Sequence, residues 1–162
     1  MARCDVIFSN TGHPMHFYNV EKAVGRGSLN ETSDVLLVQY MLKATYESST
    51  AGASLTGAPK GVLKVSGVAD ELTFDLIRHF QKSMQKLGIP TVDDGRIDPV
   101  PRSTTAYDMT KRAFQHTIIS LNHALHTVRP NDYPRLWNAP DCPPALRERL
   151  FIYWVAGEYM RY

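Results

Sequence analysis

The stretch from Leu63 to Pro99, LKVSGVADELTFDLIRHFQKSMQKLGIPTVDDGRIDP, constrains the fold more than any other part of the chain. Leu72, Leu76, Ile77, Phe80 and Met84 recur at helical spacing, which gives the segment from Asp70 to Leu87 one continuous apolar face. Gly88 stands where a helix of that length ends, because a glycine takes the left-handed C-terminal position without a Cβ penalty. Gly67 permits a tight turn in front, and Asp94-Gly95 forms a second turn behind. The segment is therefore a helix held between two turns, and the rest of the chain must supply the surface that its apolar face covers.

That surface comes from other helices. Val35, Val38, Tyr40, Met41 and Leu42 lie on or near one face of a segment that Asn30, Thr32 or Ser33 can cap, predicting a helix over about 32–46. A third helix starts near Ser103 or Thr105 and runs through Met109, Ala113, Ile118, Leu121, Leu125 and Val128 until Pro130 stops it. A last one, from Ala145 to Tyr159, is entered through Pro143-Pro144 and carries Leu146, Leu150, Phe151, Trp154 and Val155 on a broad face. In front of these, the β-prone runs Asp5–Phe8 and His16–Val20 flank the turn-forming Ser9-Asn10-Thr11-Gly12-His13-Pro14, which predicts a hairpin. Val62 to Val65 reads as a short strand, and the small, polar run from Ser48 to Gly61 reads as a loop within the domain. The fold class is mainly α, a helical bundle with a small N-terminal β-hairpin. With 162 residues, 43% of them hydrophobic, the chain can bury one sizeable core, so a single domain is expected.

Five ordered pieces resemble a known family. Asp34-Val35-x-x-Val38-Gln39-x-x-Leu42 is followed by Leu63-x-x-x-Gly67, then by Thr73-x-x-x-Ile77-x-x-Phe80-Gln81, Gly88 and Asp94-Gly95-x-Ile97. This order is similar to that of the peptidoglycan-binding-like domain, a three-helix module attached to bacterial and phage cell-wall hydrolases. The resemblance covers residues 30–107, leaving 1–29 as a hairpin appendage and 108–162 as a helical extension. In this reading Asp34 caps the first helix, Thr73 lies in the first turn of the second, and Gln81 ties a loop back by its amide. The resemblance implies a three-helix core and a shallow groove beside the second helix and the Asp-Gly turn. Arg78, Asp94 and Arg96 would meet sugar hydroxyls or stem-peptide carboxylates there, with Tyr107 as a stacking face.

The implied function is a non-catalytic bacterial or phage cell-wall binding module whose ligand is a peptidoglycan fragment. The alternative is a protein-interaction component on the same scaffold: an adaptor, an immunity-type protein, or an accessory of a contractile secretion or phage tail system. The tyrosine-rich C-terminal helix and the strand edge of the hairpin suit that alternative. Val38-Gln39, Phe80-Gln81 and Phe114-Gln115 echo one another, but their flanks keep no constant period and so predict no solenoid.

Other chemistries lack their residues. A formal charge of +2, from 18 basic and 16 acidic residues scattered along the chain, offers no electrostatic footprint for nucleic acid. His116, His123 and His126 can share a helix face, but no acidic residue lies between Lys111 and Pro130 to complete a metal site. Cys4 and Cys142 have no metal-ligand or redox-motif spacing, and no GxSxG elbow occurs. Glu71 and Asp75 suit a helix N-terminus, and Asp93, Asp94 and Asp98 suit a turn, so no glycosidase carboxylate pair is read from them. No catalytic residue, metal or cofactor is expected. The most apolar run, Leu150 to Gly157, is too short to span a membrane. The N-terminal sequence lacks the pattern of a secretory signal, which predicts synthesis into the cytoplasm, with export only by a signal-independent route.

Overall fold

The computed structural model describes residues 1–8, 14–48, 55–101 and 116–150. It is mainly helical, with a two-stranded antiparallel hairpin at the N-terminus. Strands β1 (Arg3–Phe8) and β2 (Pro14–Asn19) pair from Arg3 opposite Asn19 to Phe8 opposite Pro14. A second, minimal pairing joins β3 (Val24–Gly25) to β4 (Arg96–Ile97), which brings distant parts of the chain into register. The helices are α1 (Thr32–Glu47), α2 (Glu71–Lys86), α3 (Thr117–Val128) and α4, of which residues 144–150 are described.

Helix α1 is the centre of the molecule. Every residue from Ser33 to Leu42 is buried, so the helix has no solvent face over that span. The expected single apolar stripe is instead a nearly all-round apolar surface, as required of a helix that other elements surround. Helix α3, helix α2 and β3 pack against it. Helix α2 by contrast is amphipathic, burying Leu76, Ile77, Phe80 and Met84 while Arg78, Lys82 and Lys86 face solvent. One hydrophobic cluster links Tyr18 of the hairpin, Leu37 of α1, Phe80 of α2, Ile97 of β4, Leu121 of α3 and Leu146 of α4.

Side-chain amides join what the short elements cannot. The Asn19 amide donates to Val100 O at 2.8 Å and accepts from Val100 N at 3.0 Å. Asn122 does the same for Tyr18, accepting from its N at 2.7 Å and donating to its O at 2.7 Å. An amide side chain carries one donor group and one acceptor, like a peptide unit, so a buried Asn can stand in for a missing strand. Asn122 thereby ties the hairpin to α3, and Asn19 ties it to the segment after β4.

Several local expectations are corrected. The cap of α1 is Glu31, whose carboxylate accepts from Asp34 N at 3.3 Å. Asp34 sits inside the first turn and turns the other way, accepting from Glu21 N at 3.2 Å and Lys22 N at 2.9 Å. No strand forms over residues 62–65. A helix continuous through residue 116 is not found, because His116 is extended, with φ −59° and ψ 133°, and α3 begins at Thr117. The Thr117 hydroxyl accepts from Gln81 Nε2 at 3.1 Å, which fixes that start against α2.

The cap of α2 gives a direct test. Asp70 Oδ1 accepts from Thr73 N at 2.8 Å and from the Thr73 hydroxyl at 2.6 Å. The Thr73 hydroxyl, with the Thr73 amide, holds the Asp70 carboxyl below its ordinary value. Replacing Asp70 by Ala is expected to cost about 1 kcal/mol in urea unfolding. Asp70→Asn should keep most of the cap but lose its pH dependence. The folded pKa is depressed, so the contribution of the charge is present above the unfolded value near ~3.9 and fades as pH falls through the folded one. An Asn variant with the same acid slope as the parent would remove Asp70 from that role.

Candidate functional site

Two glutamines organise the site region, and they do so in the same way. Gln39 of α1 is fully buried; its Oε1 accepts from Ser66 N at 3.0 Å and Gly67 N at 2.9 Å. Its Nε2 donates to Val68 O at 2.9 Å and to the Thr73 hydroxyl at 3.1 Å. Gln81 of α2 is also fully buried; its Oε1 accepts from Gly95 N at 2.8 Å. Its Nε2 reaches Arg96 O at 2.8 Å, Asp94 Oδ1 at 3.0 Å and the Thr117 hydroxyl at 3.1 Å.

The correspondence is residue for residue. Each glutamine grips a turn whose glycine has positive φ, 77° at Gly67 and 71° at Gly95, and each also binds a threonine in the first turn of the next described helix. A helix, a glycine turn and a threonine-led helix thus form a unit that occurs twice, with α2 shared between the copies. The two copies differ in the segment between glycine and threonine, short from Gly67 to Thr73 and long from Gly95 to Thr117. Of the three apolar-Gln echoes in the sequence, Gln39 and Gln81 share this geometry, and Gln115 lies outside the described residues.

The second turn carries Asp94 and Arg96, two of the four candidate ligand residues, and Arg78 reaches towards it from α2. Arg78 Nε lies 3.4 Å from Asp93 Oδ1, and the Arg78 side chain is 62% exposed. Arg96 Nη2 lies 3.0 Å from Asp98 Oδ1, with both side chains about half exposed. Asp94 is engaged inside the turn, where its Oδ1 accepts from Arg96 N at 2.9 Å as well as from Gln81. Tyr107 lies outside the described residues. Lys82 is an addition: its Nζ stands 3.9 Å from Asp93 Oδ2, so Asp93 faces two cations of α2 at once. The signal for it was present, since Lys82 follows Arg78 by one helical turn. Exposed pairs of this kind contribute little to folding, so the cations can exchange a protein carboxylate for one of a ligand.

The remaining reactive groups lie elsewhere. Cys4 and Cys142 are free, and burial pushes their thiols up to about 12 and about 11, away from nucleophilic use. His123 is exposed on α3, while His126 packs on the Tyr133 ring with centroids 5.2 Å apart. Among the described residues no group of three or more His, Cys, Asp or Glu is placed to hold a metal ion. His79 Nδ1 is 2.7 Å from Tyr46 Oη and its Nε2 is 3.3 Å from Thr56 O, so this histidine joins α2 to α1 and to Thr56.

The chain has no match among protein-family models, among curated proteins or among solved structures.

Proposed function

We propose that the protein is a non-catalytic module that binds the bacterial or phage cell wall, on a scaffold of the peptidoglycan-binding-like type. The observation that carries this reading is the duplicated glutamine–glycine–threonine unit. Gln39, Gly67, Thr73, Gln81 and Gly95 stand in the order of that family's motif, and they form two hydrogen-bonded networks, one around each glutamine. The contacts lie beside the second turn, where Arg78 and Lys82 of α2 face Asp93 and the Arg96 side chain pairs with Asp98. Guanidinium groups pair with carboxylates in a forked geometry, which suits the acidic stem peptides of the wall better than uncharged sugar.

Sedimentation with purified insoluble peptidoglycan tests this. The protein is expected to pellet at modest salt and to stay in solution with chitin, a wall-free polysaccharide. The double substitution Arg78→Glu and Arg96→Glu should lower the bound fraction by about tenfold, since charge reversal turns attraction at the rim into repulsion. Protein that stays in the supernatant with peptidoglycan at modest salt would sink the proposal.

A protein-interaction role on the same scaffold is favoured by a different observation, the strongly exposed aliphatic residues Leu29, Val62 and Val68.

A further inference from the structure

Asp94-Gly95 is the one place in the chain where a glycine follows an aspartate or an asparagine. That step has a chemistry of its own. Glycine carries no side chain to shield its backbone nitrogen, so the nitrogen can reach the side-chain carbonyl carbon of the residue before it. Gly95 N then bonds to Asp94 Cγ, the amide proton and the carboxyl hydroxyl leave as water, and a cyclic imide forms. Water that opens this ring between Gly95 N and Asp94 Cγ restores aspartate. Water that opens it between Gly95 N and the Asp94 backbone carbonyl carbon leaves isoaspartate, in which the main chain runs through the side chain. Neither direction needs an oxidant, a metal or a second protein.

In this fold one side chain holds both reacting groups. Gln81 Oε1 accepts from Gly95 N at 2.8 Å, and Gln81 Nε2 donates to Asp94 Oδ1 at 3.0 Å. Arg96 N donates to the same carboxylate oxygen at 2.9 Å. Ring closure has to take the proton from Gly95 N and turn Asp94 Cγ onto that nitrogen, so it must break bonds at both ends of the Gln81 amide. Gln81 is itself fully buried, and its Nε2 is fixed further by Arg96 O at 2.8 Å and the Thr117 hydroxyl at 3.1 Å. Gly95 is buried, whereas Asp94 is exposed, so the water that the chemistry releases and takes up has access to the carboxyl once the turn opens.

We infer that Asp94 is a modification site, a self-cyclising aspartate whose conversion to isoaspartate is held back by the Gln81 amide. The conversion proceeds from the opened turn, which is a local opening of the fold and not its global unfolding. The extra methylene in the main chain then displaces Gly95 N from Gln81 Oε1, so the turn that carries Arg96 does not close again. The inference is independent of wall binding, because the chemistry is internal to the chain.

Ageing at neutral pH and physiological temperature, read by peptide mass spectrometry after labelling with an isoaspartyl methyltransferase, tests it. The parent unfolded in urea and a synthetic peptide of residues 90–98 are expected to gain isoaspartate at Asp94 at similar rates. The folded parent should do so at least about tenfold more slowly. Gln81→Leu, with its fold checked by circular dichroism, should lose most of that protection, and Gly27→Ala, which leaves these bonds in place, should keep it. Native-state hydrogen exchange of the Gly95 amide answers the same question without a variant. Its protection and the slowing of isomerisation should fall together as sub-denaturing urea is added, because both need the same opening. Isoaspartate that forms as fast in the folded parent as in the unfolded chain overturns the inference. So does a folded Gln81→Leu as slow as the parent, an unfolded chain with no isoaspartate at Asp94, or isomerisation that stays constant while urea removes the protection of Gly95.

Discussion

Gln81→Leu is expected to destabilise the protein by about 3 to 5 kcal/mol, although leucine fills nearly the same volume. The substitution leaves Gly95 N–H, Arg96 C=O and the Thr117 hydroxyl without their shared partner. Gly95 and Thr117 are themselves buried, so water cannot easily replace the amide there. A buried polar group that loses its partner costs about 1–3 kcal/mol, and the added apolar burial of leucine offsets only part of that sum. Urea unfolding should show the loss as a lower midpoint at unchanged m. Gln81→Glu separates the two halves of the amide: its carboxylate still accepts from Gly95 N but cannot donate to Arg96 O, and it faces Asp94. It should be nearly as damaging, and wall retention should fall in both variants because the turn that carries Arg96 is released. A loss below about 1 kcal/mol for Gln81→Leu would show that the amide does not hold the turn.

The elements that were legible in the sequence are those written in local chemistry. The boundaries of α2 follow from its apolar spacing, Gly67 and Gly95 have the positive φ that their turns require, and Gln81 ties a loop back through its amide. What escaped depends on partners far along the chain. Nothing near Val24 announces that it pairs with Ile97, and nothing near Asn122 announces that it completes the edge of β2. Shorter side chains than Glu31 are better suited to cap a helix, yet Glu31 supplies the acceptor while Asp34 serves the Glu21–Lys22 backbone. The burial of α1 on all sides was hidden because its apolar residues are too numerous to define a face. The site shows the same division. Asp94 and Arg96 lie on the turn and Arg78 on α2, and the role of Asp93 as a common partner for Arg78 and Lys82 needs the fold of residues 90–96 around the end of α2. The correspondence of Thr117 with Thr73 was invisible because the two threonines stand at very different distances from their glycines.

Gly25→Ala should be about as damaging as Gln81→Leu, and for a reason that no sequence pattern shows. A Cβ at this position would lie 2.4 Å from Gly95 O and 2.8 Å from Arg96 Cα, so the obstruction is backbone and cannot rotate away. The residue also has φ 148°, a conformation that a side chain disfavours at any packing. Relaxation by local rotation is blocked, because Asn30 holds both Gly25 N and Gly25 O while Ser28 N donates to Gly25 O at 3.1 Å. The chain must therefore separate β3 from β4, which moves the same Gly95–Arg96 turn that Gln81 grips from below. An expected loss of about 3–4 kcal/mol combines the clash with the backbone strain. Gly27→Ala is the matched control: φ there is 73°, but nothing lies within 4 Å of the added atom. It should cost only the left-handed penalty of about 1–2 kcal/mol. Native-state hydrogen exchange should separate the two variants further, with the Ile97 amide losing protection in Gly25→Ala and retaining it in Gly27→Ala. Equal losses in the two variants would mean that the approach of the two backbones is loose, and that the turn is held by Gln81 alone.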